Sequence, residues 1–218
     1  MSYRTVIDKV LRRLREDTID TDWTGVLTSA SSVDDYQKLI GELVNETKDL
    51  VEDAWNWGIL RTLETVTTSA STETYNMSNL NNRSRVLQVI DTTNDAQLTQ
   101  ISDSDFYNLS LIGTTQTGVP SYFRLNDNDI SFWPIPAATY TIKVHAVQPE
   151  SDRTLAADTI KVPENLIVLG TYSLALAERG EDGGTATDVA VSRFADALSD
   201  SIAQDQSRTV DEITWYAS

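Results

Sequence analysis

The feature that most constrains this fold is an amphipathic stretch, residues 34–63, that passes from helical into strand periodicity. Apolar residues recur every three or four positions, which is the pattern of one buried helix face. Ser32-Val33-Asp34-Asp35 has the Ser-x-x-acid form of a helix start, and Trp55-Asn56-Trp57-Gly58 is expected to end the helix. A helix of some 25 residues would span roughly 38 Å, and it leads directly into β-structure. The apolar positions are Tyr36, Leu39, Ile40, Leu43, Val44, Thr47, Leu50, Val51 and Ala54.

From Thr62 onward the period changes to two, which is typical of strands with one buried face. The runs are short, rich in β-branched and aromatic residues, and separated by turn residues such as Asn126-Asp127-Asn128-Asp129. Spacings of roughly 8–12 residues favour a small antiparallel sandwich or barrel. The predicted strands are residues 62–67, 74–77, 86–92, 97–101, 121–125, 130–133 and 140–147.

Helical periodicity is present before and after this β region. Residues 3–17 predict a short first helix, and two further helices are expected after Pro163-Glu164 and after Thr185. Four amphipathic helices can bury their apolar stripes only against one another. The predicted fold class is therefore α+β: an antiparallel bundle of about four helices with an inserted β-domain and a C-terminal tail. The expected boundaries are 1–62 and 163–206 for the bundle, 63–162 for the β-domain and 207–218 for the tail.

The charge is strongly acidic and unevenly distributed. The chain has 17 basic and 33 acidic residues and a net charge of −16, yet residues 1–17 alone hold five basic and three acidic residues. Phosphate binding needs clustered Lys and Arg, so the main body is not expected to bind nucleic acid tightly. No apolar run reaches the ~18 residues of a membrane span, and no signal peptide is expected.

The sequence offers little catalytic chemistry. The chain has no Cys, which excludes disulfides and thiolate metal sites, and its one histidine, His145, falls within a predicted strand. Asp103-x-Asp105 and Asp127-x-Asp129 lack the Gly and Glu of an EF-hand loop, so a helix cap and a hairpin turn explain them better. We therefore predict no catalytic residue, cofactor or metal, and a protein that is not an enzyme.

Three groups of residues are candidates for contacts with other molecules. Acidic side chains on the long helix form a ridge that could face a channel, although an ordinary solvated face is the simpler interpretation. Trp55 and Trp57 are candidates for a domain or subunit junction, or both belong to the core. Apolar residues in the tail suggest a docking segment. The residues are Glu42, Glu46, Asp49, Glu52 and Asp53 for the acidic ridge, and Val210, Ile213, Trp215 and Tyr216 for the tail.

Residues 46–62, Glu-Thr-Lys-Asp-Leu-Val-Glu-Asp-Ala-Trp-Asn-Trp-Gly-Ile-Leu-Arg-Thr, resemble the end of the long helix in head-to-tail adaptor proteins of tailed bacteriophages. The resemblance is to the tail tubular protein A class of short-tailed phages. Residues 118–123, residues 130–136 with the following strand 140–144, and the Pro163-Glu164 helix are similar to the same group. The likeness extends over most of residues 3–206.

This resemblance implies a structural virion protein of the neck or tail, assembled in the cytoplasm of the bacterial host. It implies a homo-oligomeric ring of about twelve copies that joins the portal protein to a downstream tail or nozzle protein, with DNA passing through unbound. In that family the C-terminal extension reaches the portal. Two alternatives stay open: another neck or tail-tube component, and a glycan-binding or glycan-cleaving virion protein. The glycan platform would be the β-domain aromatics Tyr122, Phe123, Phe132, Trp133 and Tyr140.

Overall fold

The computed structural model describes residues 1–111, 116–180 and 185–208. Over these residues the fold is mixed α+β, as expected, with five α-helices and mainly antiparallel sheets. Residue contacts divide it into two compact units, residues 61–149 and a unit formed by residues 1–60 with the described chain from Glu150 onward. Residues 150–162 thus belong with the helices, whereas the predicted boundary placed them in the β-domain. The helices are α1 (Tyr3–Leu14), α2 (Asp35–Ala54), α3 (Asp103–Leu111), α4 (Glu164–Glu178) and α5 (Thr185–Arg208).

The long helix α2 is shorter than its sequence pattern predicts. Asp34, not Ser32, is its N-cap, because the Asp34 carboxylate accepts from the Gln37 amide while the Gln37 side chain accepts from the Asp34 amide. At the other end Trp55 has extended backbone, with φ −151° and ψ 158°, so the helix stops at Ala54. A 3-10 turn, Gly58–Leu60, then leads into the first strand.

Helix α4 is the central helix of the helical unit. It packs against α1, α2 and α5, and α1 also packs against α2. The close approach of α4 to its neighbours depends on Gly170, where an added Cβ would lie 2.5 Å from Thr47 Cγ2 and 2.9 Å from Phe194 Cε2. Arg179, the residue after α4, donates to the hydroxyl of Tyr36 near the start of α2, so α4 and α2 run antiparallel.

The β unit contains two four-stranded sheets that enclose one core. The strand orders are β1-β10-β3-β4 and β2-β8-β7-β5, and β6 pairs with β9 as a separate parallel pair. The strands are β1 (Arg61–Thr67), β2 (Thr74–Asn76), β3 (Arg85–Asp91), β4 (Ala96–Gln97), β5 (Thr99–Gln100), β6 (Thr117–Gly118), β7 (Tyr122–Asn126), β8 (Asp129–Trp133), β9 (Ile135–Pro136) and β10 (Thr141–Val147).

Alternation along the strands places apolar side chains between the two sheets, as period-two patterning requires. Val144 of β10 and Phe132 of β8 are fully buried in this core. Helix α3 is nine residues long, and the helix cap expected around Asp103-x-Asp105 is made by Ser102, whose Oγ accepts from the Asp105 amide. Phe106 anchors α3 on the β unit, and the Arg124 guanidinium lies 4.5 Å from the centre of the Phe106 ring.

Candidate interaction surfaces

The predicted acidic ridge on α2 is exposed over only part of its length. Glu42, Glu46 and Asp53 are exposed and Asp49 is half-buried. Glu52 is fully buried, so its place on an outer ridge is wrong. The helical period explains the difference, because Glu52 lies four residues after buried Lys48 and on the same face. Leu50 shows the reverse error, since this predicted core residue is 53% exposed.

Lys48 and Glu52 form a buried charged site that holds the backbone at Glu150. The Lys48 ammonium donates to the Glu150 carbonyl at 2.8 Å and to Asp49 Oδ1 at 2.6 Å, and it lies 3.5 Å from Glu52 Oε2. The same Glu52 oxygen accepts from the Glu150 amide at 3.1 Å. The Lys48–Glu52 ion pair therefore satisfies both the backbone N–H and the backbone C=O of Glu150. Glu150 is the residue at which the chain returns to the helical unit.

The two glutamates at this site have pKa values shifted in opposite directions. Burial raises the pKa of Glu52, an effect that Lys48 partly offsets. Burial also acts to raise the pKa of Glu150, but a hydrogen bond from Arg153, the Lys161 amide and both cations outweigh it and lower that pKa. Desolvation favours the neutral carboxyl, whereas nearby cations favour the carboxylate. Desolvation outweighs the cation at Glu52, and the cations and hydrogen bonds outweigh desolvation at Glu150.

The two predicted junction tryptophans both make contacts inside the helical unit. Trp57 is buried and its indole donates to the Val51 carbonyl at 2.6 Å. Trp55 is half-buried, and its indole donates at 3.1 Å to Asp205 of α5. Asp205 also accepts from the Gly58 amide at 3.0 Å. The helix was expected to end within Trp55-Asn56-Trp57-Gly58, but α2 ends at Ala54, so neither ring stands on it.

The end of α1 carries an arginine patch, which we define as Arg12, Arg13 and Arg15. All three side chains are exposed. Among the described residues, no carboxylate lies within ion-pair distance of any of them. Sequence patterning alone marks them only as a solvated helix face, because pairing within the fold cannot be read from spacing.

Arg179, in contrast, is fully engaged within the molecule. It pairs with Glu16, donates to the Tyr36 hydroxyl at 2.7 Å and lies 4.8 Å from the centre of the Tyr36 ring. These contacts join the ends of α1 and α4 to the start of α2, beside a surface cleft of about 570 Å³ lined by carboxylates including Asp34 and Asp35. Arg179, the cation in this cleft, is already paired, so we assign the cleft a structural role.

Helix α5 is the least covered helix of the unit. Its 24 residues pack on α4 through Ala190 and the half-buried Phe194, Leu198 and Ile202. Val189 is 47% exposed on the outer side. The predicted docking tail that follows, Val210, Ile213, Trp215 and Tyr216, lies outside the described residues.

The aromatic residues proposed as a glycan platform are mostly core residues. Phe123, Phe132 and Trp133 are buried, and Tyr122 is 40% exposed. Aromatic side chains that bind sugars must present a face to solvent, so the three buried residues cannot belong to such a platform, which leaves exposed Tyr122 and half-buried Tyr140. Within residues 1–111, 116–180 and 185–208, no group of three or more His, Asp or Glu could hold a metal ion. None of the described helices is long and apolar enough to cross a membrane.

The surfaces above belong to an acidic protein of mixed α+β structure. The chain belongs to the SU10 adaptor protein family, whose model matches residues 1–214. It is therefore a phage adaptor protein and a component of the virion. A comparison with curated proteins finds no match.

Proposed function

We propose that this protein is a head-to-tail adaptor that forms a ring between the portal and the tail, with DNA passing through the ring. Membership of the SU10 adaptor protein family over residues 1–214 carries the proposal. The copy number is proposed as twelve, and the partners as the portal protein and a downstream tail or nozzle protein. The resemblance to the tail tubular protein A class supports these finer points.

The proposed architecture is a helical bundle with an inserted β-domain. Its support is the packing of α4 against α1, α2 and α5 and of α1 against α2, with residues 61–149 forming a separate compact unit. A bundle made from both ends of the chain is a suitable frame for ring contacts, because four packed helices give it a rigid core.

The charge distribution supports passage of DNA without tight binding. The helical unit, residues 1–60 and 150–218, contains 12 basic and 25 acidic residues. Such a surface repels phosphate over the distance of a Debye length, about 8 Å at physiological salt. We propose that the exposed acids of α2, Glu42, Glu46 and Asp53, face the channel, with Asp49 beside them.

Electron microscopy of the protein mixed with portal rings of its own phage tests the adaptor function. We expect a second ring of about twelve-fold symmetry stacked on the portal at physiological salt. Failure of the protein to bind portal rings would contradict the proposal. In a structure of the complex, Glu42 and Glu46 on the outer wall would contradict the channel-facing role alone.

The tail is proposed to order on the portal. A variant truncated after Arg208 keeps all of α5, so we expect an unchanged circular dichroism spectrum together with loss of portal binding. A full-length variant with Trp215→Ala and Tyr216→Ala is the matched control, since it removes only the two aromatic anchors. Portal binding by the truncated chain as tight as that of the full chain would contradict the docking role.

A further inference from the structure

We propose that the arginine patch of α1 on one copy binds the acidic outer face of α5 on a second copy. This acidic face is defined by Asp196 and Asp200. Exposed Val189 and Arg193 lie on the same side of α5, so the two aspartates outnumber the one cation there. The inference rests on the proposed ring and names two surfaces that hold neighbouring copies together. Closed rings need heterologous contacts, in which two different patches of the same chain meet.

The arginine patch lacks carboxylate partners among the described residues of a unit that has a large excess of carboxylates. Several other cations of the helical unit are paired internally: Arg4 with Asp8 and Asp22, Lys9 with Glu164, and Arg179 with Glu16. Exposed Arg193 on α5 has no ion pair among the described residues. Arg12, Arg13 and Arg15 have no such contact within the described residues. Arginine forms bidentate pairs with carboxylates, so three adjacent free guanidinium groups present a ready surface for an acidic partner.

Asp196 and Asp200 are one helical turn apart and both are exposed. The face of α5 that meets α4 contains Ala190, Phe194 and Ile202, so the helical period directs the two aspartates away from α4. Neither aspartate has a cation within ion-pair distance in the part of the chain that the structure describes. The spacing of about 6 Å between residues one turn apart is similar to that expected for Arg12 and Arg15, which are three positions apart at the end of α1.

The two surfaces lie on different sides of the helical unit. Helix α4 packs extensively against both α1 and α5, whereas α1 and α5 make almost no direct contact with each other in the described chain. The outer faces of α1 and α5 therefore cannot meet within one molecule. They can meet between two copies, and repetition of that contact generates a ring.

A second copy explains the arginine patch better than DNA does. Three arginines could neutralise only a few phosphates, while the helical unit as a whole carries a net charge of −13. Helix α5 also has half its circumference uncovered, with Val189 47% exposed, which adds an apolar contribution beside the two aspartates. Helix α2 is an alternative acidic face, but it is already packed against both α1 and α4.

Reciprocal charge reversal tests the contact in the full-length chain. One variant carries Arg12→Glu and Arg13→Glu, and the other carries Asp196→Arg and Asp200→Arg. Either variant alone brings like charges together, so we expect self-association measured by analytical ultracentrifugation to weaken about tenfold or more. In an equimolar mixture the two variants can alternate. Each reversed patch then meets a reversed face and each unchanged patch meets an unchanged face, so association should return to near the wild-type level.

The matched control reverses the other acidic face, with Glu42→Arg and Glu46→Arg. This variant should associate like the wild type and should not restore association when mixed with the arginine-reversed chain. Because every changed side chain is exposed, circular dichroism should show all the variants folded. Rescue by the α2 reversal, or no rescue by the α5 reversal, would overturn the proposed pairing.

Two further outcomes would overturn it. A wild-type chain that remains monomeric at about 0.5 mM in low salt has no such contact. Loss of binding to a DNA duplex in the arginine-reversed variant, with self-association unchanged, would assign the patch to phosphate binding.

Portal-bound rings that survive both reversals would refute this contact but not the adaptor function. Variants that behave as expected in solution, with no ring on the portal, would refute the function but not the contact.

Discussion

Lys48 and Glu52 of α2 are both fully buried, and together they bind the amide and the carbonyl of Glu150. Their charged atoms lie 3.5 Å apart. A buried pair of this kind contributes less to net stability than its attraction suggests, because both ions lose hydration. Removal of one partner is the costly change, because it leaves the other charge buried without compensation.

Replacement of Lys48 by Met should destabilise the helical unit by about 3 kcal/mol, because Glu52 loses its nearby cation and the Glu150 carbonyl loses its donor. Urea unfolding followed by tryptophan fluorescence measures the change. Lys38→Met, which removes a surface pair with Asp35, is the control and should cost less than about 1 kcal/mol.

The double variant Lys48→Met with Glu52→Leu should cost less than the sum of the single changes. Strict additivity would contradict the coupling of the pair.

The opposite pKa shifts predict opposite effects on pH-dependent stability. The pKa of Glu52 is raised in the folded state, so the folded chain binds this proton more tightly than the unfolded chain does. The Glu52 contribution to the free energy of unfolding therefore falls as pH rises from about 4.5, the ordinary value, through the raised pKa. Glu52→Gln should remove this decline when urea unfolding is measured from pH 4 to 7.

Glu150 should behave in the reverse way below the same pH. Its pKa is lowered, so its contribution to stability is present above about 4.5 and is lost as pH falls through the lowered value. Glu150→Gln should therefore flatten the acid limb of the stability profile, while Glu52→Gln should leave that limb unchanged. Equal effects of both substitutions on one limb would contradict the assigned directions.

Gly170→Ala should destabilise the packing of α4 by about 1–3 kcal/mol, because the new methyl group would overlap Thr47 and Phe194. This cost exceeds the helix-propensity gain of about 1 kcal/mol that Ala normally brings. Thermal unfolding measures the change, and Ser199→Ala on the exposed side of α5 is the control. A Gly170→Ala variant more stable than the wild type would show that Phe194 moves aside without cost.

Asp205→Ala should loosen the C-terminal end of α5. The hydrogen bonds that this carboxylate accepts from the Trp55 indole and the Gly58 amide would be lost, at a cost of about 1–3 kcal/mol. Amide hydrogen exchange at Gly58 should become faster. Asp188→Ala, an exposed acid at the other end of α5, should leave that exchange rate unchanged. Unchanged protection of Gly58 in Asp205→Ala would show that other contacts hold this turn.

The secondary structure followed closely from periodicity. The predicted strands 62–67, 86–92, 130–133 and 140–147 correspond to β1, β3, β8 and β10, because each has one face in a shared core. The end of α2 was not predictable in the same way. Trp55 leaves the helix to reach Asp205, 150 positions later in the chain, and no local signal encodes that contact.

The candidate surfaces show the same contrast between features encoded by local sequence and features set by long-range contacts. The alternation of helical and strand periods, the concentration of acidic charge and the chemistry available at each position can be read from the residues alone. Long-range packing buries Glu52 with Lys48, whereas Arg12 and Arg13 stay exposed and have no carboxylate partner in the part of the chain that the structure describes. The reason is physical: periodicity defines which face of a helix is buried, but long-range packing determines which charges lie within ion-pair distance.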